Sequence, residues 1–379
     1  MGAVIRTIDG VRQDFAYDDI VKAIRNGNRT LDLRHRSLRN VPTLLSRLDE
    51  IVEVQLAHNL LTTLPGSIGS MKNLQILRLQ NCQLEELPET FGDLSKLRIL
   101  DVSRNELLGL PESFGRLIAL EEFYGTKNEI KRLSENFAHG LYSLRSLNLD
   151  SNRLADLPSC FTQLKALTYC DLSDNMIKEL PPAIGRMDEL QTLLVNKNMI
   201  PWRGIPMGPQ GLPKLKMLKG LYFMDNKIEQ CPWEFGLCTS LQNLAISRNR
   251  YLTVLPDELG DLPRIRSLAC NDCKLASIPK MLYTKTTMLR DLDLSTNSIT
   301  SLPDTVGKLL SLESLYLSRN RLSGLPPTIG ALSNLKELCI EENSIKTLPD
   351  ELGNCKVSTI QNPEPLSSTQ THTFPRTRH

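Results

Sequence analysis

Short runs in which apolar and polar residues alternate recur along the chain, mostly at intervals of 23 residues. In Leu100–Ser103 the alternation has the period of a strand with one buried face. Leucines and a proline follow in Leu107–Pro111, where proline ends strand pairing because it has no N–H donor. Apolar residues then recur every three positions through Phe114–Leu120, which predicts a helical or 3₁₀ turn on the other side. Each copy therefore predicts one strand and one returning turn.

The copies align on the position of Asn105. Successive positions are 23 residues apart, except for three steps of 24 and one of 28 between Asn198 and Asn226. About fourteen copies cover residues 30–353. One copy cannot bury its own leucines, so we expect the copies to stack into a single right-handed solenoid of parallel strands. The aligned positions are Arg36, Asn59, Cys82, Asn105, Asn128, Asn152, Asn175, Asn198, Asn226, Asn249, Cys273, Asn297, Asn320 and Asn343.

The recurring asparagine has a structural interpretation. It stands at the bend where strand pairing stops, and its amide can donate to and accept from backbone groups buried between coils. A cysteine thiol is a weaker donor that partly replaces it at Cys82 and Cys273. We therefore expect a structural column rather than a catalytic set. Its asparagines are Asn59, Asn105, Asn128, Asn152, Asn175, Asn198, Asn226, Asn249, Asn297, Asn320 and Asn343.

The phrase LxxLxLSxNxLxxLPxxIG, seen in LRILDVSRNELLGLPESFG and LESLYLSRNRLSGLPPTIG, resembles the intracellular leucine-rich repeats of the Shoc and Ras-suppressor scaffolds. It is also similar to the repeats of Scribble, Erbin and the plant Ras-group-related proteins. The resemblance implies an α/β leucine-rich repeat solenoid, a curved horseshoe with a parallel concave β-sheet and convex helical or 3₁₀ turns. It further implies a protein-binding scaffold at small-GTPase, phosphatase or cell-polarity assemblies.

The array is expected to have distinct ends and one insertion. Residues 1–29 read as an N-terminal helical cap, because Asp18–Arg25 is amphipathic and Gly27 suits a helix end. The polar segment 354–379 reads as a disordered tail. The long step places an insertion at 201–207, and the prolines and glycines of Pro201–Pro213 predict an irregular loop. Trp202 in this insertion either packs onto the flank of the array or anchors a partner.

The candidate partner-binding residues stand on strand positions that point away from the core. Most of these positions are small or charged, as at Ser247 and Asp293. Four in three successive repeats are apolar or amphipathic and predict an exposed patch on the concave face: Tyr169, Leu194, Tyr222 and Met224. Tyr124 and Tyr316 are isolated secondary candidates. The alternative is that these are scattered surface residues with no common ligand.

Composition and charge narrow the classes of partner and the cellular compartment that we expect. Forty-five basic and 43 acidic residues give a net charge of +2, which does not favour nucleic acid as a partner. No apolar run is long enough for a membrane helix or a secretion signal. Of the nine cysteines, Cys170 and Cys270 fall on inward strand positions. Buried thiols scattered through a core suit a cytoplasmic, reducing compartment.

No catalytic constellation is apparent in the sequence. Cys270 and Cys273 have CxxC spacing, but they occupy a core position and the asparagine position, and no second pair completes a metal site. We therefore expect a protein that is not an enzyme and that uses no cofactor, metal or small-molecule substrate. The expected function is a scaffold in signal transduction whose partner is a protein, such as a small GTPase or phosphatase. The alternative is a structural or regulatory subunit of a cytoskeletal, ciliary or cell-polarity complex.

Overall fold

The computed structural model describes residues 20, 22, 26–41, 45, 50–355, 357 and 359–361. The chain divides into two compact units, Met1–Leu218 and Lys219–His379. Most of the predicted N-terminal cap lies outside the described residues. Within it, Ile20 and Lys22 are helical and Ile20 is fully buried.

One strand forms in each repeat, and each unit holds its strands in chain order with parallel pairing. The first unit pairs β1 through β8, and the second pairs β9 through β15. The first eight strands are β1 (Thr30–Asp32), β2 (Glu53–Gln55), β3 (Ile76–Arg78), β4 (Ile99–Asp101), β5 (Glu122–Tyr124), β6 (Ser146–Asn148), β7 (Tyr169–Asp171) and β8 (Thr192–Leu194). The others are β9 (Gly220–Tyr222), β10 (Asn243–Ala245), β11 (Ser267–Ala269), β12 (Asp291–Asp293), β13 (Ser314–Tyr316), β14 (Glu337–Cys339) and β15 (Thr359–Gln361).

Short 3₁₀ turns connect the strands, as the three-residue apolar spacing predicts. In the first unit they span Gly66–Ser70, Glu89–Asp93, Glu112–Arg116, Ser159–Gln163, Ile184–Arg186, Trp202–Gly204 and Leu212–Lys214. In the second they span Trp233–Leu237, Asp257–Asp261, Asp304–Lys308, Pro327–Ala331 and Asp350–Asn354. The helix α1 (Lys280–Lys285) takes the place of a 3₁₀ turn within a 24-residue step. Parallel strands backed by short turns confirm the predicted solenoid class.

The interior is built from the central residue of each strand and from apolar residues of the turns. Phenylalanines fill the turn side of the first unit, where the rings of Phe114 and Phe137 stack 5.7 Å apart. The rings of Phe137 and Phe161 stack 6.5 Å apart, and Phe123 lies 4.8 Å from Phe114. All four rings are essentially inaccessible to water. Because each ring packs on a ring of the next coil, stability depends on stacking between coils.

The structure departs from the predicted boundaries in two places. Strand β15 lies beyond residue 353, inside the segment predicted as a disordered tail. It forms there because β14 has an open edge, along which Ile360 pairs with Leu338. The loop predicted from Pro201–Pro213 contains two 3₁₀ turns rather than wholly irregular backbone. Such turns tolerate proline at their start, where its missing N–H has no partner to lose.

Candidate protein-binding face

A tight bend follows each strand and determines how the next side chains are placed. The residue before the asparagine position has positive φ, 57° at Arg104, and so lies in the left-handed region that side chains disfavour. The amide of Asn105 closes this bend. Its Nδ2 donates to the carbonyls of Leu79 and Val102, both at 2.9 Å, while its Oδ1 accepts the N–H of Leu84 at 3.0 Å. One side chain thereby satisfies backbone groups of two coils.

The same arrangement repeats along both units. In each case Nδ2 donates to a carbonyl of its own coil and to one of the preceding coil, and Oδ1 accepts an N–H of the preceding coil. The asparagines that do so are Asn59, Asn105, Asn128, Asn152, Asn175, Asn198, Asn249, Asn297, Asn320 and Asn343. Asn226 donates to Phe223 and Met224 of its own coil. The thiols of Cys82 and Cys273 face the carbonyls of Leu56 and Ile246 at 3.5 and 3.7 Å.

Removing one amide from this column is expected to destabilise the fold. In Asn175→Ala, the buried N–H of Leu154 loses its acceptor. The carbonyls of Leu149 and Leu172 each lose one of two amide donors and keep those of Asn152 and Asn198. We expect a loss of about 1–3 kcal/mol in the free energy of unfolding, measured by chemical denaturation. Asn136→Ala is the control, because Asn136 is exposed and makes a surface hydrogen bond to Glu112. Equal denaturation midpoints for the two variants would contradict a structural role.

The first and third residues of each strand, together with the residue two positions after the third, form what we call the sheet face. In the first unit, Tyr124, Tyr169 and Leu194 occupy such positions and are half-buried. Tyr169 is the first residue of β7 and pairs with Thr192, whereas Leu194 is the third residue of β8 and pairs with Asp171. Tyr169 and Leu194 are therefore diagonal neighbours, about 8 Å apart at Cα from standard strand spacings. Both can contact one ligand.

The second unit holds the remaining candidates of this face. Tyr222 ends β9 opposite Ala245, Met224 follows two residues later, and Tyr316 ends β13. All three candidates are half-buried. Small side chains between larger ones are covered even on this face, since Ala245 is 7% and Ser247 only 1% exposed. The alternation of the sequence therefore overstates the accessibility of Ser247.

Two tyrosine hydroxyls of the sheet face donate hydrogen bonds to carboxylates. The hydroxyl of Tyr124 donates to Glu122 at 2.8 Å, and that of Tyr316 donates to Glu337 at 2.7 Å. This hydrogen bond, followed by burial, raises the pKa of Tyr316 to about 12. Burial raises the pKa of Tyr169 to about 12, with a further contribution from the charge of Asp171. These tyrosines remain neutral at ordinary pH and present oriented, amphipathic rings.

Two apolar residues of this face are absent from the sequence-based patch. Ile76 and Ile99 are the first residues of β3 and β4, pair directly with each other and are half-buried. Their adjacency adds a second apolar area to the sheet face of the first unit. The sequence could have revealed this apolar area, because both isoleucines occupy strand positions that point away from the core and are usually polar.

Acidic residues accompany the apolar ones in the first unit. Asp150 is half-buried beside Asp171 and Asp174. Burial raises the pKa of the Asp150 carboxyl, and the charges of the two neighbouring aspartates add to this increase. Asp101 differs, because it pairs in register with the cationic Arg78 of the neighbouring strand. The sheet face therefore combines aromatic and aliphatic surface with fixed negative charge.

Trp202 lies in the first unit, away from the strand positions. Its ring is half-buried, and the guanidinium carbon of Arg203 lies 5.3 Å from the ring centroid. The turn is held to the preceding coil by a hydrogen bond from the N–H of Leu180 to the carbonyl of Gly204, at 2.9 Å. The indole is thus covered in part by its own turn and exposed in part to solvent.

The cysteines and acids offer no assembled metal centre in the described ranges. All nine cysteines are free, and Cys270 is fully buried. Among the described residues, no group of three or more His, Cys, Asp or Glu side chains is arranged to hold a metal ion. Within the same part of the chain, no helix combines the length and apolar character needed to cross a bilayer.

Solved structures of other proteins share this repeat architecture. A leucine-rich repeat protein of Leptospira interrogans has a TM-score of 0.64 and 26% identity, covering 91% of this chain and 99% of that one. The plant peptide hormone receptor RGFR1, solved in complex with RGF2, has a TM-score of 0.67 and 26% identity, covering 90% of this chain and 60% of the receptor chain.

Sequence comparison identifies the family. The mouse (Mus musculus) leucine-rich repeat serine/threonine-protein kinase 1 is 32% identical over 175 residues, which is 43% of this chain but only 8% of the kinase. The model of the family described as "Leucine-rich repeat region" matches residues 29–144, 128–278 and 263–357. These matches cover nearly all of the array and coincide with the strands and turns of the structure. The chain belongs to the leucine-rich repeat family.

Proposed function

We propose that this chain is a non-enzymatic protein–protein interaction scaffold that binds a protein partner on its sheet face. The observation that carries the proposal is the set of half-buried amphipathic side chains at outward strand positions, above all Tyr169 with Leu194 and Tyr222 with Met224. Parallel strands about 4.8 Å apart present such side chains as an ordered surface. Large, rigid aromatic residues are also typical anchors of protein interfaces.

The partner is proposed to act in intracellular signalling. The resemblance to the Shoc and Ras-suppressor repeats favours a small GTPase or a phosphatase in the cytoplasm, and the Scribble and Erbin resemblance favours a polarity assembly. The plant receptor RGFR1 was solved with RGF2 bound, so the fold supports recognition of a polypeptide in that protein. The mouse kinase is matched only within its repeat part, so its catalytic activity is not part of the proposal.

Truncation of the sheet face should weaken binding of the partner. We expect Tyr169→Ala combined with Leu194→Ala, diagonal neighbours in the first unit, to reduce affinity by about 30-fold, equivalent to about 2 kcal/mol. Affinity purification with quantitative mass spectrometry identifies the partner, and titration of the purified partner gives the affinity. The matched control is Leu108→Ala combined with Leu310→Ala, which removes side chains that are 58% and 56% exposed and lie outside the sheet face.

The outcomes separate the candidate functions. Loss of binding in the sheet-face variant alone, with both variants melting normally, supports the proposed surface. Undiminished binding by a folded sheet-face variant contradicts it. Recovery of a fixed stoichiometric complex containing cytoskeletal or ciliary proteins would instead support the structural or regulatory subunit.

A further inference from the structure

Three large apolar side chains are exposed in two successive coils of the second unit. Trp233 and Leu237 begin and end one 3₁₀ turn and are 52% and 47% exposed. One coil later, Val254 is 67% exposed, three residues before the turn at Asp257–Asp261. We call Trp233, Leu237 and Val254 the turn patch. Exposed large apolar side chains in successive coils are a common feature of interaction surfaces.

The repeats provide an internal comparison for Trp233. It follows the proline that precedes the turn, and the position after this proline is exposed in every other coil of the second unit. In those coils it carries residues compatible with solvent, namely Asp257, Lys280, Asp304, Pro327 and Asp350. Core packing therefore does not require a large ring here. A tryptophan at a position open to water suggests a role outside the fold.

The two turns next to the turn patch carry only acidic charges. The turns Trp233–Leu237 and Asp257–Asp261 contain Glu234, Asp257, Glu258 and Asp261 and no lysine or arginine. The two turns are in backbone contact, because a Cβ added at Gly236 would lie 2.3 Å from the carbonyl oxygen of Glu258. Asp257 is therefore one coil from Trp233 at the equivalent position. Asp261 pairs with Lys285 at 2.6 Å. Asp257 is exposed, with Trp233 at the equivalent position of the preceding coil and Lys280 at that of the next.

Two other aromatic rings of the chain lie close to cations. Arg203 lies over Trp202, and Lys274 lies 5.9 Å from the ring centroid of Tyr251. Among the described residues, no such cation lies over Trp233. An arginine is well suited to this place, because its guanidinium can stack on an indole and pair with a carboxylate at the same time.

We propose that the turn patch is a second docking surface, which binds a protein segment carrying an arginine beside aliphatic side chains. The arginine stacks on Trp233 and pairs with Asp257, and the aliphatic side chains cover Leu237 and Val254. Charge complementarity selects this occupant over an acidic or uncharged segment. Its residues belong to the turn side of the repeat, whereas the sheet face is formed by strand positions.

Peptide selection tests the proposal directly, because the library itself supplies the ligand. A random-peptide phage library is selected on the full chain after depletion on the variant Trp233→Ala/Leu237→Ala. We expect the surviving peptides to be enriched in arginine next to leucine, isoleucine or valine. Survivors that are acidic or uncharged, or the absence of any peptide that distinguishes the two proteins, would overturn the proposal.

Affinities of a selected peptide then assign the contacts. In fluorescence anisotropy titrations, Trp233→Ala and Asp257→Lys should each weaken binding about ten-fold. Leu310→Ala, a loss of exposed apolar surface elsewhere in this unit, should leave the affinity unchanged, as should the sheet-face variant Tyr169→Ala/Leu194→Ala. Thermal melting checks the fold of each variant. Unchanged affinity in Asp257→Lys, or self-association of the chain through Trp233, would contradict the assigned occupant.

Discussion

Gly115→Ala is expected to lower the free energy of unfolding by about 3 kcal/mol. A Cβ added at Gly115 would lie 2.2 Å from the backbone oxygen of Asn136 in the next coil. Real Cβ atoms do not approach oxygen this closely, so the two coils must separate. No rotation of a side chain relieves the clash, because the obstructing atom belongs to the backbone. Chemical denaturation followed by circular dichroism measures the loss.

Gly109→Ala is the matched control, six positions earlier in the same repeat. A Cβ added there meets nothing within 4 Å. Neither glycine has positive φ, so backbone conformation does not distinguish the two sites. The control should change stability by no more than about 0.5 kcal/mol. Similar destabilisation of both variants would show that the recurring glycine does not owe its presence to contact between coils.

Alkaline pH should destabilise the protein strongly through its buried thiols and phenol. Burial raises the pKa of Cys170, Cys231 and Cys270 well above the ordinary value for a thiol. It likewise raises the pKa of Tyr283, whose buried hydroxyl has no hydrogen-bond partner among the described residues. Below about pH 8.5 both the folded and the unfolded chain keep the thiol protons, so this contribution to stability is fully present.

Above that pH the unfolded chain releases protons that the folded chain retains. Each such thiol then lowers the free energy of unfolding by about 1.4 kcal/mol per pH unit. Denaturation under reducing conditions between about pH 8 and pH 10 measures the combined slope. The variant Cys170→Val removes one thiol from a fully buried position and should reduce the slope by about the contribution of one group. The same slope in both proteins would assign the alkaline sensitivity to other residues.

The repeat itself was predictable from the sequence because its causes are local and recur. Alternation in Leu100–Ser103 reports which strand residues point inward, and the proline of each copy reports where pairing ends. The position of Asn105 could be assigned to a bend because an amide satisfies both donors and acceptors of the backbone. These inferences require only the sequence of one repeat and the fact that it recurs. The parallel strands and 3₁₀ turns of the structure agree with them.

Accessibility and proximity depended on the tertiary structure, because the neighbours of a residue in a solenoid come from adjacent coils. Ser247 stands on an outward position but is covered, whereas Ile76 and Ile99 pair directly on the same face. The register of β7 and β8 makes Tyr169 a diagonal rather than a direct neighbour of Leu194.

The recurring glycine and the turn patch show the same division. The sequence identifies Gly115 and Trp233. It does not show that a backbone carbonyl faces the glycine or that the indole is exposed to solvent. Alternation within one copy determines whether a residue points toward or away from the core. How closely the next coil approaches, and how much surface it covers, is decided only when the coils stack.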